Sequence, residues 1–250
     1  MATAKPTILL IPGAWHQGHT FEPVAKILRE QGYEAETITL PSVGGLASTT
    51  AYDDAKHIQD NYLSKLVAGG KEIIIVMHSY AGIPGTESVE GFARKDLAAQ
   101  GKQGGVVGIV YMAAFLVPPG ASVASFLPHG LDHLMTLEGG MMHPKNPREM
   151  FYSDLDDETA LKYLAGIVPH APECMQNPLT YAAYRDVPTS YILCARDVGF
   201  PVTAQQQIAG IPGEGVVRTY TIDGGHFAML SQPNAVAEAI QDAATRLAGV

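Results

Sequence analysis

The chain has 250 residues, room for one large α/β domain or two small ones, and its 46% hydrophobic content against 16% charged excludes a disordered chain. A formal net charge of −9 argues against nucleic acid or an anionic membrane as the main partner, because phosphates must be met by Lys and Arg. The two cysteines, Cys174 and Cys194, cannot make a disulfide framework when Cys194 lies inside an apolar run, so a reducing, cytoplasmic setting is expected. The apolar stretch 8–11 is too short for a signal sequence, and no segment has the length of a membrane span.

In chain order, a strand is expected over 7–11, ending at Pro12-Gly13, and a helix over 21–31, whose Phe21, Val24, Ile27 and Leu28 share one face. A second strand follows over 34–40 and a second helix over 51–67. Runs 72–77 and 105–114 are apolar on both faces, as central parallel strands are, and 188–195 and 216–222 complete the series. The last helix begins near Pro233 and carries Val236, Ile240, Ala243 and Leu247 on one stripe. Alternation of strands and helices predicts an α/β fold. The rhythm breaks between Pro118 and Asp186, which reads as a cap (118–186) inserted into a core made of 1–117 and 187–250. A cap would cover the strand ends where such sheets bind ligands.

The chemistry concentrates at those strand ends. Strand 72–77 runs into His78-Ser79-Tyr80-Ala81-Gly82 with a helix-compatible segment behind it, the arrangement that lifts a serine hydroxyl above a sheet at a sharp turn. The pattern G-x-S-x-G is imperfect, because Met77 and Ala81 stand at its glycine positions. Ser79 taken alone could be a helix cap. Two partners favour a nucleophile: Asp197 just past strand 188–195, and His226 just past strand 216–222, in the chain order nucleophile, acid, histidine. Against them stand an Asp197 that only shapes a turn beside Gly199, a His226 held by loop backbone, and Asp223 as a second acid. After the first strand, Pro12-Gly13-Ala14-Trp15-His16 occupies the place of an oxyanion loop, so the N–H groups of Ala14 and Tyr80 are the expected donors to a developing negative charge.

Other polar residues read as structural. His78 is expected to point away from the pocket, and His16 to make a structural hydrogen bond. His129, His133 and His143 lack the spacing of metal ligands, and Asp154, Asp156, Asp157 and Glu158 suit a helix N-terminus better than a calcium loop. Phe126, Leu127, Met135, Met141, Met142 and Phe151 are enough to line an apolar pocket, with Gly13, Trp15 and Phe227 as further candidates.

The segments Pro12-Gly13-Ala14-Trp15-His16, His78-Ser79-Tyr80-Ala81-Gly82, Arg196-Asp197 and Gly225-His226-Phe227 resemble the α/β-hydrolase superfamily, above all its small plant-type esterases and hydroxynitrile lyases with their bacterial and fungal esterase relatives. The resemblance implies a mostly parallel eight-stranded sheet flanked by helices, a helical cap, and a Ser79–His226–Asp197 triad without cofactor or metal. Members usually carry His at the position of Pro12. The lyases carry Thr where this chain has Gly13 and Lys where it has Phe227, so lyase activity is disfavoured. The expectation is hydrolysis of a small-molecule carboxylic ester or lactone with an apolar or aromatic body. A non-hydrolytic enzyme on the same triad (C–C lyase, cyclase or cofactor-independent oxygenase) and a ligand-binding receptor stay as alternatives, and homodimerisation is left open.

Overall fold

The computed structural model describes residues 5–127 and 130–247. Six strands form one sheet in the order β2-β1-β3-β4-β7-β8, with every neighbouring pair parallel. They are β1 (Thr7–Ile11), β2 (Ala35–Thr37), β3 (Glu72–His78), β4 (Gly105–Met112), β7 (Thr189–Cys194) and β8 (Val217–Ile222). β1, β4 and β7 are buried along their whole length, and only Glu72 of β3 is partly open. Such uninterrupted burial requires helices on both faces. Those of the first half are α1 (Glu22–Glu30), α2 (Ala51–Ile58), α3 (Ser64–Ala68), α4 (Gly82–Glu87) and α5 (Arg94–Ala99). α2 and α3 replace the single expected helix 51–67, joined through a π turn at Gln59–Leu63.

The eight-stranded sheet does not form. Among the described residues the chain enters the parallel set directly at Thr7, and the two remaining strands, β5 (Met135–Glu138) and β6 (Met141–Pro144), pair with each other in an antiparallel hairpin. Gly139 (φ 59°) and Gly140 (φ 82°) make its two-residue turn, a backbone that only glycine adopts freely at both positions. The 118–186 insertion is therefore mixed rather than helical. Besides the hairpin it holds α6 (Val123–Phe126), α7 (Pro147–Tyr152) and α8 (Asp157–Leu164), the last capped by Asp156 through the Thr159 N–H. The chain closes with α9 (Val202–Ala209), α10 (Ala228–Ser231) and α11 (Pro233–Leu247), whose Val236, Ala237, Ile240, Ala243 and Ala244 are buried.

Strand order reverses between β1 and β3: from β1 the chain turns outward to β2, then returns to continue on the other side through β3. Crevices at such reversals, beyond the strands' C-terminal ends, are where open α/β sheets take ligands. No helix among the described residues is long and apolar enough to cross a membrane.

Candidate active site

Ser79 follows β3 at φ 54°, a left-handed conformation that costs a non-glycine residue on the order of 1–3 kcal/mol and persists only when its surroundings impose it. β3, held in register between β1 and β4, imposes the entry, and α4 fixes the exit. The departures from the glycine pattern are accommodated from the helix side. A Cβ on Gly85 of α4 would come within 2.5 Å of the Met77 sulfur, and one on Gly82 within 2.3 Å of the Phe115 carbonyl oxygen. The glycine that the motif places before the serine is thus exchanged for one in the following helix, which leaves Met77 its volume.

β7 and β8 deliver the other two residues to the same rim. His226 Nδ1 lies 2.6 Å from Asp197 Oδ2, and His226 Nε2 lies 3.2 Å from Ser79 Oγ. A carboxylate only accepts, so Nδ1 carries the ring proton and Nε2 presents its lone pair to the serine. Asp197 is anchored twice more, by the Phe200 N–H at 2.8 Å and by Gln205 Nε2 at 3.2 Å. Gln205, fully buried on α9, also accepts from the Cys194 N–H at 2.9 Å and so ties the acid loop to the end of β7. Asp223 faces outward instead, pairing with Arg196 with its side chain 82% exposed.

His78 is buried with its ring 4.6 Å from that of His226, and its Nε2–H donates to the His226 carbonyl at 2.9 Å. Burial drives its pKa far below the usual histidine value, which keeps it neutral beside the triad. On the other side of the loop, Asp154 of the insertion accepts from the Gly225 N–H and from Ser231 Oγ, both at 2.6 Å. Gln205 carried no signal in the sequence, being a lone polar residue outside any motif, and Asp154, expected at a helix N-terminus, leaves the α8 cap to Asp156 and holds the His226 loop instead.

Ala14, Tyr80, Ser79 and His226 open together onto one cavity. The Ala14 N–H has no acceptor among the described residues. Trp15 and Met135 line the cavity with Leu127 and Phe151, as the sequence suggested, while Phe126, Met141 and Met142 do not. Two expected pocket residues are misplaced. Phe227 is buried beneath the site, its ring 4.2 Å from His16 and 4.7 Å from His78, because the chain turns into α10 directly after His226. Gly13 abuts Ser79 rather than the cavity: a Cβ there would lie 2.7 Å from Ser79 Cβ. Apart from Ser79 and His226, the side chains of the wall are apolar or aromatic, with Phe115 and Phe200 stacked at 5.1 Å.

No cluster of metal-ligating side chains occurs among the described residues, to which His129 does not belong. His16 and His170 are buried, and burial pushes both down to about 3. Asp54, buried while accepting from Ser42 and Tyr80, is pushed up to about 6.

Comparison with known proteins agrees with this architecture. An alpha/beta hydrolase of Aspergillus novofumigatus is 27% identical, covering 96% of this chain and 97% of its own. A pyrethroid hydrolase of Sphingobium wenxiniae is 26% identical over 94% and 86%. The crystal structure of an Arabidopsis methylesterase superposes with a TM-score of 0.73 at 19% identity, covering 96% of this chain and 99% of that one. Fungal and bacterial hydrolases are thus similar to this chain in sequence, and the plant methylesterase shares its fold. A model of the alpha/beta hydrolase family matches residues 8–239, and the chain belongs to that family.

Proposed function

We propose that the protein is a serine esterase, cleaving carboxylic esters or lactones with an apolar or aromatic body. The observation that carries this reading is the line Ser79 Oγ–His226–Asp197, with gaps of 3.2 and 2.6 Å, opening onto an apolar cavity. In the proposed reaction His226 Nε2 takes the Ser79 proton as Oγ adds to the substrate carbonyl carbon, and the Ala14 and Tyr80 N–H groups receive the oxyanion. The imidazolium, held by Asp197, returns that proton to the departing alkoxide, which leaves as the alcohol. Water, deprotonated by the same nitrogen, then cleaves the acyl-enzyme to the acid and free Ser79. The 118–186 insertion acts as the cap that gives the substrate body an apolar lodging. The hydrolase relatives named above, among them one that is called a pyrethroid hydrolase, support the class of reaction.

The test follows p-nitrophenyl acetate and butyrate with wild type and Ser79→Ala. Turnover in the wild type, falling by at least about 1,000-fold in the variant at unchanged thermal midpoint, is expected. A Ser79→Ala protein as active as wild type overturns the mechanism. Absence of turnover together with failure of a fluorophosphonate to label Ser79 would favour a non-hydrolytic reaction in which His226–Asp197 serves as base.

A further inference from the structure

The Ala14 N–H sits in a turn in which Trp15 adopts φ 64°, a conformation costing a non-glycine residue roughly 1–2 kcal/mol. Restraints on that turn come from the 118–186 insertion. The Val168 N–H donates to the Trp15 carbonyl at 3.0 Å, and Trp15 Nε1–H to the Met142 carbonyl at 3.0 Å. A longer contact of 3.5 Å joins the Trp15 N–H to His170 Nδ1.

The shortest link runs through His16. Its Nδ1 lies 2.7 Å from the Ala14 carbonyl, and its Nε2 lies 2.6 Å from the Tyr152 hydroxyl at the end of α7. A carbonyl only accepts, so Nδ1 must carry the proton, and Nε2 is left to accept from Tyr152 O–H. The other acceptor within reach of that hydroxyl, the Tyr163 carbonyl, is 3.5 Å away and competes poorly. The ring is walled by Phe151 at 5.0 Å and Phe227 at 4.2 Å. Buried and neutral, it has one proton and one arrangement, since the opposite tautomer would set a lone pair against the Ala14 oxygen.

We propose that His16 and Tyr152 are positioning residues for the oxyanion site. The relay from Tyr152 O–H through His16 to the Ala14 carbonyl fixes the peptide that follows Ala14. Gly13, wedged against Ser79, fixes the peptide that precedes it. Ala14 is thereby pinned on both sides with its N–H toward the cavity, and α7 of the insertion becomes part of the apparatus that stabilises negative charge. This inference rests on the esterase reading.

The experiment compares wild type with Tyr152→Phe, His16→Ala and His16→Asn on p-nitrophenyl butyrate. Two inhibitors are measured alongside: a trifluoromethyl ketone, which acquires an oxyanion on adding to Ser79, and a neutral alcohol of the same shape, which does not. In Tyr152→Phe and His16→Ala, kcat should fall about 10- to 100-fold with KM within about twofold, and ketone affinity should fall in parallel while alcohol affinity holds. His16→Asn, whose amide nitrogen takes the place of Nδ1, should recover part of the loss. Unchanged kcat in Tyr152→Phe and His16→Ala, or equal weakening of ketone and alcohol, overturns the relay while wild-type turnover leaves the esterase reading standing. A wild type that neither turns over esters nor binds the ketone overturns both.

Discussion

The rim of the sheet and the wall of the insertion meet at one cavity but are specified in different ways. On the rim, each chemical group has one position: Ser79 at φ 54°, Asp197 with three donors on its carboxylate, and His226 between them with its tautomer fixed. On the insertion side the cavity is met by side chains such as Val123, Leu131 and Met135, whose contribution is volume and apolarity. Exchange of one such side chain for another of similar size usually costs less than about 1.5 kcal/mol, whereas a misplaced hydrogen-bond partner on the rim disables a step. On the proposed esterase reading, reaction type is therefore set by backbone geometry that few sequences satisfy, and selectivity by composition that many satisfy.

The largest expected effect breaks the rim without changing its shape. In Asp197→Asn the side-chain oxygen can stay with the Phe200 N–H, which turns the new amide N–H toward His226 Nδ1. That nitrogen must then accept, the proton moves to Nε2, and the base facing Ser79 is lost. A drop of about 10,000-fold in kcat for p-nitrophenyl butyrate is expected, with a modest fall in thermal midpoint because the same amide no longer accepts from Gln205 Nε2–H. A variant within tenfold of wild type would mean that Asp197 does not set the tautomer.

The seam between rim and insertion should show itself in stability. His16 and His78 belong to the rim and His170 to the insertion, and all three are buried and held neutral, two of them with pKa values near 3. The unfolded chain takes up protons on these histidines below about pH 6.5 that the native protein refuses, so stability falls as pH is lowered, by up to about 1.4 kcal/mol per pH unit for each. Asp54 opposes this in the window from its ordinary value to about 6, where the native carboxyl keeps a proton that the unfolded chain has released. One carboxyl against three histidines leaves the slope positive. The urea midpoint should decline steadily from pH 7 to pH 5, and a flat or rising midpoint would show that these rings are protonated in the native state.

The same contrast governs how much could be read in the sequence. The four inner strands β1, β3, β4 and β7 are visible as short apolar runs, while the edge strands β2 and β8 are more polar, and Ser79, Asp197 and His226 follow three of the six in a diagnostic order. The hairpin at Gly139-Gly140 was also legible as a two-glycine turn between short runs, yet a cap assumed to be helical hid it. The eight-stranded sheet came from the family resemblance, not from the residues, and it failed for that reason. Phe227 and Gly13 were drawn to the pocket by adjacency in sequence, although a residue next to a catalytic one faces wherever the following turn sends it. Tyr152 and His170 were invisible, and the role of Asp154 with them, because their partners at the site lie far along the chain; Gln205, whose partners are 5 to 11 residues away, was invisible because its type recurs in ordinary surfaces. Met77 had a signal of another kind: Gly85, one helical turn into α4, is the small residue that a bulky neighbour on β3 requires.

The smallest effect sharpens the comparison from the insertion side. Met135 lines the cavity while packed to 7% exposure, so Met135→Ala adds open space without touching Ser79, His226 or Asp197. Extra room helps only a substrate long enough to fill it, and a pocket difference of one or two methylenes commonly changes kcat/KM about 10-fold or more. The ratio of kcat/KM for p-nitrophenyl octanoate over acetate should therefore rise roughly tenfold, with acetate itself changed by no more than about threefold. Part of the gain is offset by stability, since truncating a packed methionine costs about 2–5 kcal/mol in a closed core and less where one side faces open space. A uniform fall across chain lengths would place Met135 with the rim, as a residue whose position matters to the chemistry. A rise confined to the long ester would leave the insertion as the place where one rim could be fitted to different substrates by changes of side-chain volume alone.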